Sequence, residues 1–279
     1  MVRRPIGESL DHRAVSGAPR PASTICLMRD TPDGLEVLMV RRTPEARFMG
    51  GAWVFPGGSV DAADDLDAAR RAVACSSTGM LRWLAAAVRE LVEETGIWLL
   101  ESGAVVTSDR PLDEEVYFDV LERYERFAGE SLQYFANWIT PEPLPVRFDT
   151  RFFAATVRYA LDPIADGTEV VDARWVRPGD ALSQANAGDW DIAFPTRKIL
   201  EFLGDFSATG PLTEHIDEAS AVTSIQPRLV VVDGKVEILM PDDSGFDEAA
   251  AEESSAALRE ILKRTIGSGA EAHPEIGSP

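Results

Sequence analysis

Between Met80 and Gly96 the apolar residues Leu81, Leu84, Val88 and Leu91 recur at intervals of three and four, which places them on one face of a helix. A helix of that kind must bury its apolar face against another element, so the segment demands a partner sheet or helix. Ser76, Ser77 or Thr78 suits its start and Gly96 its end. Another face carries Glu90 and Glu94, four residues apart, with Glu93 three from Glu90, so the three carboxylates share one neighbourhood. Like charges at these spacings repel by roughly 0.2–0.5 kcal/mol per pair. Acidic groups in a last turn also face the negative end of the helix dipole, unfavourable by about 0.3–1 kcal/mol each. Arg89 immediately precedes Glu90 and so projects about 100 degrees away around the helix, toward another partner. Two readings follow: a solvated acidic face, or the seat of a divalent cation. Mg²⁺ prefers hard oxygen ligands and keeps positions open for water and phosphate, which a few helix carboxylates satisfy.

The segments around this helix read as strands and turns. Ile25-Cys26-Leu27-Met28 and Glu36-Val37-Leu38-Met39-Val40 flank Thr31-Pro32-Asp33-Gly34, a hairpin signal. Trp53-Val54-Phe55 is halted by Pro56-Gly57-Gly58, where the backbone bends freely. Residues 61–78 turn to Ala, Asp, Arg and Ser and read as a surface insertion, helical in part. Leu112–Ala136, with Val116, Val120, Tyr124 and Phe127, has helical periodicity and suits a cap over a pocket or an oligomer interface. Further on, Ile225 to Met240 reads as a hairpin turning at Asp233-Gly234, joined to the main domain or to the partner copy of a homodimer. From Asp242 to Pro279 acidic, Ala, Gly, Ser and Pro residues dominate, and a mobile tail is expected there, with one helix over Ala256–Thr265.

Composition bears on partners. The 47 acidic residues outnumber 27 basic ones for a net charge of -20, which repels a nucleic-acid backbone; no polymeric nucleic-acid partner is expected. A small phosphorylated ligand stays open, because carboxylate-held cations reverse the local field. Cys26 and Cys75 are too few for a disulfide framework, and His12, His215 and His273 lie too far apart for a zinc site. No apolar run approaches the ~18–20 residues of a membrane span. The first twenty residues lack a signal-peptide core, so a cytoplasmic protein without membrane association is expected.

Arg89-Glu90-Leu91-Val92-Glu93-Glu94-Thr95-Gly96-Ile97 resembles the second half of the Nudix box, and Trp53 to Gly58 resembles the strand and loop that open it. In the family's usual box 13 residues separate the first Gly from the Arg, with a Glu eight residues before that Arg. Here 30 residues separate Gly58 from Arg89, an insertion of 17, and the position eight before Arg89 is Leu81. Asp61, Asp64 and Asp65 are candidates to replace the missing Glu.

The resemblance implies an α/β fold, the Nudix α/β/α sandwich with a mixed β-sheet, over residues 20–241, and hydrolysis of a diphosphate bond in a nucleotide-containing small molecule. It implies that Glu90, Glu93 and Glu94 hold Mg²⁺ or Mn²⁺, that Arg89 positions these carboxylates, and that Gly57 and Gly58 let the loop approach the metal and substrate. Glu169, ahead of Ala173-Arg174-Trp175-Val176, is an additional ligand or general base, or a plain surface carboxylate. Arg147 and Arg151 alternate with Phe148, Phe152 and Phe153; either one meets a substrate phosphate, or both are ion-paired ends of a buried strand. The interrupted box, with Trp138-Ile139-Thr140-Pro141 and Phe194-Pro195-Thr196, is similar to the coenzyme A diphosphatase branch of the nucleoside diphosphate-linked moiety X motif 19 type. Coenzyme A or acyl-coenzyme A is then the implied substrate. ADP-ribose, a nucleotide sugar or a dinucleotide is the alternative, as is a non-catalytic nucleotide-sensing module. The chain ends without a Ser-Lys-Leu-type address, which favours cytoplasmic over peroxisomal residence.

Overall fold

The structure, a computed structural model, describes residues 18–46, 49–107, 116–123, 125–158, 161–219, 221–233, 235–252 and 258. The chain divides into two compact units. The larger comprises residues 21–138 and 150–224, the smaller residues 1–20, 139–149 and 225–279.

The larger unit is built on a sheet. Its strands are β1 (Arg20–Thr31), β2 (Gly34–Arg42), β3 (Trp53–Val54), β4 (Gly57–Ser59), β7 (Gln133–Ile139), β8 (Phe148–Thr156) and β9 (Val170–Val176), while β5 (Ile97–Leu99) and β6 (Val105–Thr107) form a separate antiparallel pair. The strand order is β7-β8-β1-β2-β3, with β4 added to β1 and β9 to β2. The expected hairpin joins β1 and β2, which pair antiparallel from Met28↔Val37 to Thr31↔Gly34. Gly34 turns it at φ +117°, a conformation open to glycine and strained for any other residue.

Alternation along β1 and β2 buries both faces of the sheet. Ile25, Leu27 and Leu38 enter the core that also holds the apolar face of the central helix, and their neighbours Cys26, Met28, Val37 and Met39 are equally buried on the opposite face. The helices are α1 (Asp67–Ala72), α2 (Leu81–Thr95), α3 (Val116–Arg123), α4 (Pro178–Ala187), α5 (Phe194–Gly204) and α6 (Thr209–Glu218). Phe202 of α5 stacks on Phe135 of β7 with ring centres 5.8 Å apart. The result is the α/β architecture expected, helices on a mixed sheet.

Helix α2 is the segment that the spacing picks out, with Leu81, Leu84, Val88 and Leu91 all buried in the core. Gly96 ends it in the left-handed conformation at φ 67°, its N–H bonded to the Val92 carbonyl at 2.8 Å. Its start differs from expectation. The residue before the helix is Met80, with no side-chain cap, and the chain enters through a turn in which the Met80 N–H reaches the Ser77 carbonyl at 3.2 Å.

Two further expectations need correction. The stretch 61–78 is helical in part, but it is more than surface: α1 turns Ala68, Ala69 and Ala72 into the main core beside Val73. Small side chains let that helix approach closely. Leu112–Ala136 is not one helix. Among its described residues only α3 is α-helical; Phe127 bridges Val73 and Leu100, and Gln133 begins β7, while residues 112–115 and 124 lie outside the described set. Tertiary pairing overrides the local periodicity there.

In the smaller unit the hairpin is Arg228–Val232 with Lys235–Leu239, in register from Arg228↔Leu239 to Val232↔Lys235, with Asp233 at φ 51° in its turn. Leu229 packs with Leu258, Val231, Val236 and Ile238. The helix Phe246–Glu252 follows, and Arg228 sits over the Phe246 ring at 4.1 Å. The tail expected from Asp242 is thus helical over Phe246–Glu252, and its remainder, with the helix expected over Ala256–Thr265, falls, apart from Leu258, outside the described residues.

Candidate active site

The last two turns of α2 face β4. Strand β4 pairs antiparallel with β1, Thr24↔Gly57 and Ser23↔Gly58, and this lays the Pro56-Gly57-Gly58 bend across the helix. Glycine is required there by space. A Cβ on Gly57 would come within 2.5 Å of the Ser23 carbonyl oxygen, and one on Gly58 would collide with the Glu90 carboxylate. The Gly57 N–H donates to Glu94 Oε2 at 3.0 Å, so the loop holds one of the carboxylates directly.

Arg89 organises the rest. Its Nε and Nη2 form a two-pronged pair with Asp64, at 2.9 Å to Oδ1 and 3.1 Å to Oδ2. Nη1 donates to Glu90 Oε1 at 2.9 Å and to Glu93 Oε2 at 2.7 Å, and Nη2 also reaches the Ser59 carbonyl at 3.0 Å. All five guanidinium N–H groups are thereby used. The side chain does meet another partner, as its helical direction predicts, yet it also curls back over its neighbours Glu90 and Glu93. Asp64 is fully buried and also accepts from the Asp61 N–H at 2.7 Å and from the Tyr117 hydroxyl of α3.

Asp64 is the residue that counting back from Arg89 misses. Counting forward from Gly58, the box's own spacing puts its first acid six residues on, at Asp64. The 17 extra residues therefore fall after Asp64, and the position assigned to Leu81 is an apolar core site at the start of α2. Of the three candidate aspartates, Asp64 is the one that reaches Arg89; Asp61 caps the short 3-10 turn Ala62–Asp65, and Asp65 meets Arg70 at 3.4 Å.

Charge in this region is unbalanced. One guanidinium faces Asp64, Glu90 and Glu93, and Glu94 is 2% exposed with a backbone N–H as its hydrogen-bond donor. Burial pushes the Glu90 carboxyl up to about 7, against the pull of Arg89 and with further repulsion from Glu93. Burial and then repulsion from Glu90 raise Glu94 well above the usual carboxylate range, while burial, only partly countered by Arg89, raises Glu93. The pKa of Arg89 is shifted up: burial acts to lower it, but the Asp64 hydrogen bond and the charges of Glu90, Asp64 and Glu93 outweigh that.

The other sequence-predicted residues divide. Glu169, exposed at the start of β9, is near enough to raise the pKa of all three glutamates. Its carbonyl accepts from the Thr43 N–H at 2.9 Å, which ties it to the end of β2. Arg151 lies instead at the opposite end of α2, 3.4 Å from the Trp83 ring centre and bonded to Met80 Sδ at 2.6 Å. Arg147 belongs to the smaller unit, where its Nε donates to the Thr140 carbonyl at 3.0 Å.

The donor set fits a divalent cation in chemistry: hard carboxylate oxygens and more negative charge than Arg89 balances. Among the described residues no three His, Cys, Asp or Glu side chains close around one point as they stand, because Glu90 and Glu93 both turn to Arg89. Among them, too, no helix is long and apolar enough to cross a membrane.

The family model for the NUDIX domain matches residues 19–74, from β1 through the glycine loop and Asp64 to the end of the α1 segment. A putative nudix hydrolase 7 of Caenorhabditis elegans is 29% identical over 196 residues, 67% of this chain; the chain spans 60% of that relative's length. The crystal structure of a NUDIX hydrolase from Alicyclobacillus acidocaldarius, 28% identical, superposes with a TM-score of 0.57 over 71% of this chain and 96% of its own. Over residues 19–74 the chain thus matches the NUDIX domain model, and its fold is similar to that of the Alicyclobacillus acidocaldarius NUDIX hydrolase.

Proposed function

We propose that the chain is a metal-dependent hydrolase that cleaves a diphosphate linkage in a nucleotide-containing small molecule. One observation carries the reading: three glutamates with raised proton affinity are gathered on the last two turns of α2, two of them, Glu90 and Glu93, sharing a single, fully engaged guanidinium and the third, Glu94, meeting a backbone N–H. Buried like charges of this kind weaken a fold unless a ligand balances them.

In this reading Glu90, Glu93 and Glu94 hold Mg²⁺ or Mn²⁺. The ion, when bound, supplies Lewis acidity toward the diphosphate oxygens and acidifies water. Arg89 and Asp64 set the orientation of Glu90 and Glu93, and the Gly57 N–H sets that of Glu94. Gly57 and Gly58 let the loop lie close against β1 and the Glu90 carboxylate. Glu169 stands beside the glutamates as a further ligand or as the group that removes a proton from water.

Coenzyme A or acyl-coenzyme A is the first substrate to try, on the sequence resemblance around Trp138 and Phe194. The experiment is mass spectrometry of products after incubating the protein and its Glu94→Gln variant with coenzyme A, acyl-coenzyme A, ADP-ribose, a nucleotide sugar and NADH, with Mg²⁺, Mn²⁺ or chelator. An adenosine bisphosphate formed from the coenzyme A compounds only with metal, and reduced about 10²–10⁴-fold in the variant, is the expected result. Turnover of another compound alone keeps the hydrolase and replaces the substrate. No turnover with either metal points to a nucleotide-sensing module.

A further inference from the structure

Because Arg89 has no N–H left to offer, a phosphate arriving at the glutamates needs another donor. Arg42 ends β2 immediately before Thr43, paired across the sheet with Val170 and bonded through its own N–H to the Ala52 carbonyl at 2.9 Å. Strand alternation places Leu38, Val40 and Arg42 on one face, and Leu38 packs in the core beneath α2. Arg42 thus continues that face toward the C-terminal end of α2, where its charge acts on Glu94. The guanidinium nevertheless makes no ion pair with Glu94, and its Nε is buried without a hydrogen-bond partner among the described residues. Its neighbour Arg41 is exposed and bonds to the Gly51 carbonyl at 3.3 Å.

A buried N–H without an acceptor is rare and calls for an explanation. At a carboxylate-lined site the missing acceptor is an anion brought in from solution, since another protein carboxylate would add to the repulsion. We propose that Arg42 is a substrate-binding residue that takes up the diphosphate group, its planar fork meeting phosphoryl oxygens beside Glu94. This rests on the hydrolase reading for its choice of ligand. It assigns the two arginines different tasks: Arg89 holds the carboxylates, and Arg42 receives the group they act on.

The test is calorimetric titration of the full chain with α,β-methylene-ADP in the presence of Mn²⁺. Arg42→Met keeps length without charge, Arg42→Lys keeps charge without the fork, and Arg41→Met is the control. A second titration with Mn²⁺ alone reads the carboxylates. The expected result is analogue binding weakened about 10- to 100-fold in Arg42→Met and several-fold in Arg42→Lys. Mn²⁺ binding then stays within about twofold of the parent, and Arg41→Met is unchanged. Analogue affinity unaltered in both Arg42 variants overturns the proposal, as does Mn²⁺ affinity falling in step with it, or a parent protein that does not bind the analogue. Should Arg42→Met fail to fold, Arg42→Lys decides alone. If the parent binds the analogue but hydrolyses none of the five compounds above, the hydrolase reading fails while the Arg42 comparison still stands.

Discussion

The two ends of α2 solve the problem of a partly buried charge in opposite ways. At its start two cations, Arg151 and Arg82, lie over the Trp83 ring, and Arg151 also meets the Met80 sulfur, partners that are soft, apolar and uncharged. About three turns further on, carboxylates outnumber the cation that serves them, and burial raises the proton affinity of all three glutamates. A helix selected only to hold the sheet would carry the first arrangement throughout. The excess of like charge at one end is a local conflict within an otherwise consistent segment, the kind of place where functional or strained sites are expected.

Removing the Asp64 carboxylate should disturb this contrast most. Asp64→Ala leaves Arg89 buried with one side of its fork unpaired, and a loss of about 3–5 kcal/mol in denaturant unfolding is expected. A loss below about 1 kcal/mol would show that Glu90 and Glu93 suffice to hold Arg89.

Next comes acidity. The folded protein holds protons on Glu90 up to about pH 7, against 4.5 for a free glutamate, with Glu93 and Glu94 shifted the same way. Folding therefore favours the protonated carboxylates: the contribution of Glu90 is complete below about pH 4.5 and is lost as pH rises through about 7, and those of Glu93 and Glu94 have the same sign. In chelator the melting temperature should fall across that window by roughly 2–4 °C per kcal/mol lost, and Mg²⁺ or Mn²⁺ should restore more of it at pH 8 than at pH 5. A Glu90→Gln variant with an unchanged pH slope would remove Glu90 from this account.

The smallest effect belongs to the other end. Arg151→Met should lower stability by about 0.5–2 kcal/mol through the lost ring contact and leave turnover within twofold. A fall in turnover at unchanged stability would return Arg151 to the substrate.

How much of this could be read from the chain follows from the range of the forces involved. The apolar stripe of α2, its Gly96 stop and the Thr31-to-Gly34 hairpin depend on residues within a few positions of each other, and the structure shows each of them. The spacing of Glu90, Glu93 and Glu94 also announces that they lie together. What lay hidden was long-range. Phe127 carries a helical spacing yet bridges Val73 and Leu100, because its place is set by cross-chain pairing. Arg151 reads as either a phosphate contact or an ion-paired strand end, and the ring of Trp83, far away in sequence, is a partner that neither reading contains. Asp64 could have been found by counting the box from its glycine end, but its pairing with Tyr117 rests on a tertiary contact no spacing reveals.

That two-pronged contact between Asp64 and Arg89 has a topological consequence. It closes a loop of 24 intervening residues, 65 to 88, where the usual box closes one of seven. Chain entropy grows only with the logarithm of loop length, so the longer closure is disfavoured by about 1 kcal/mol more, from (3/2)RT ln(24/7). The box in this molecule is thus two anchor points joined by a tether. Its length is nearly neutral, and α1 shows that such a tether can be recruited into the core.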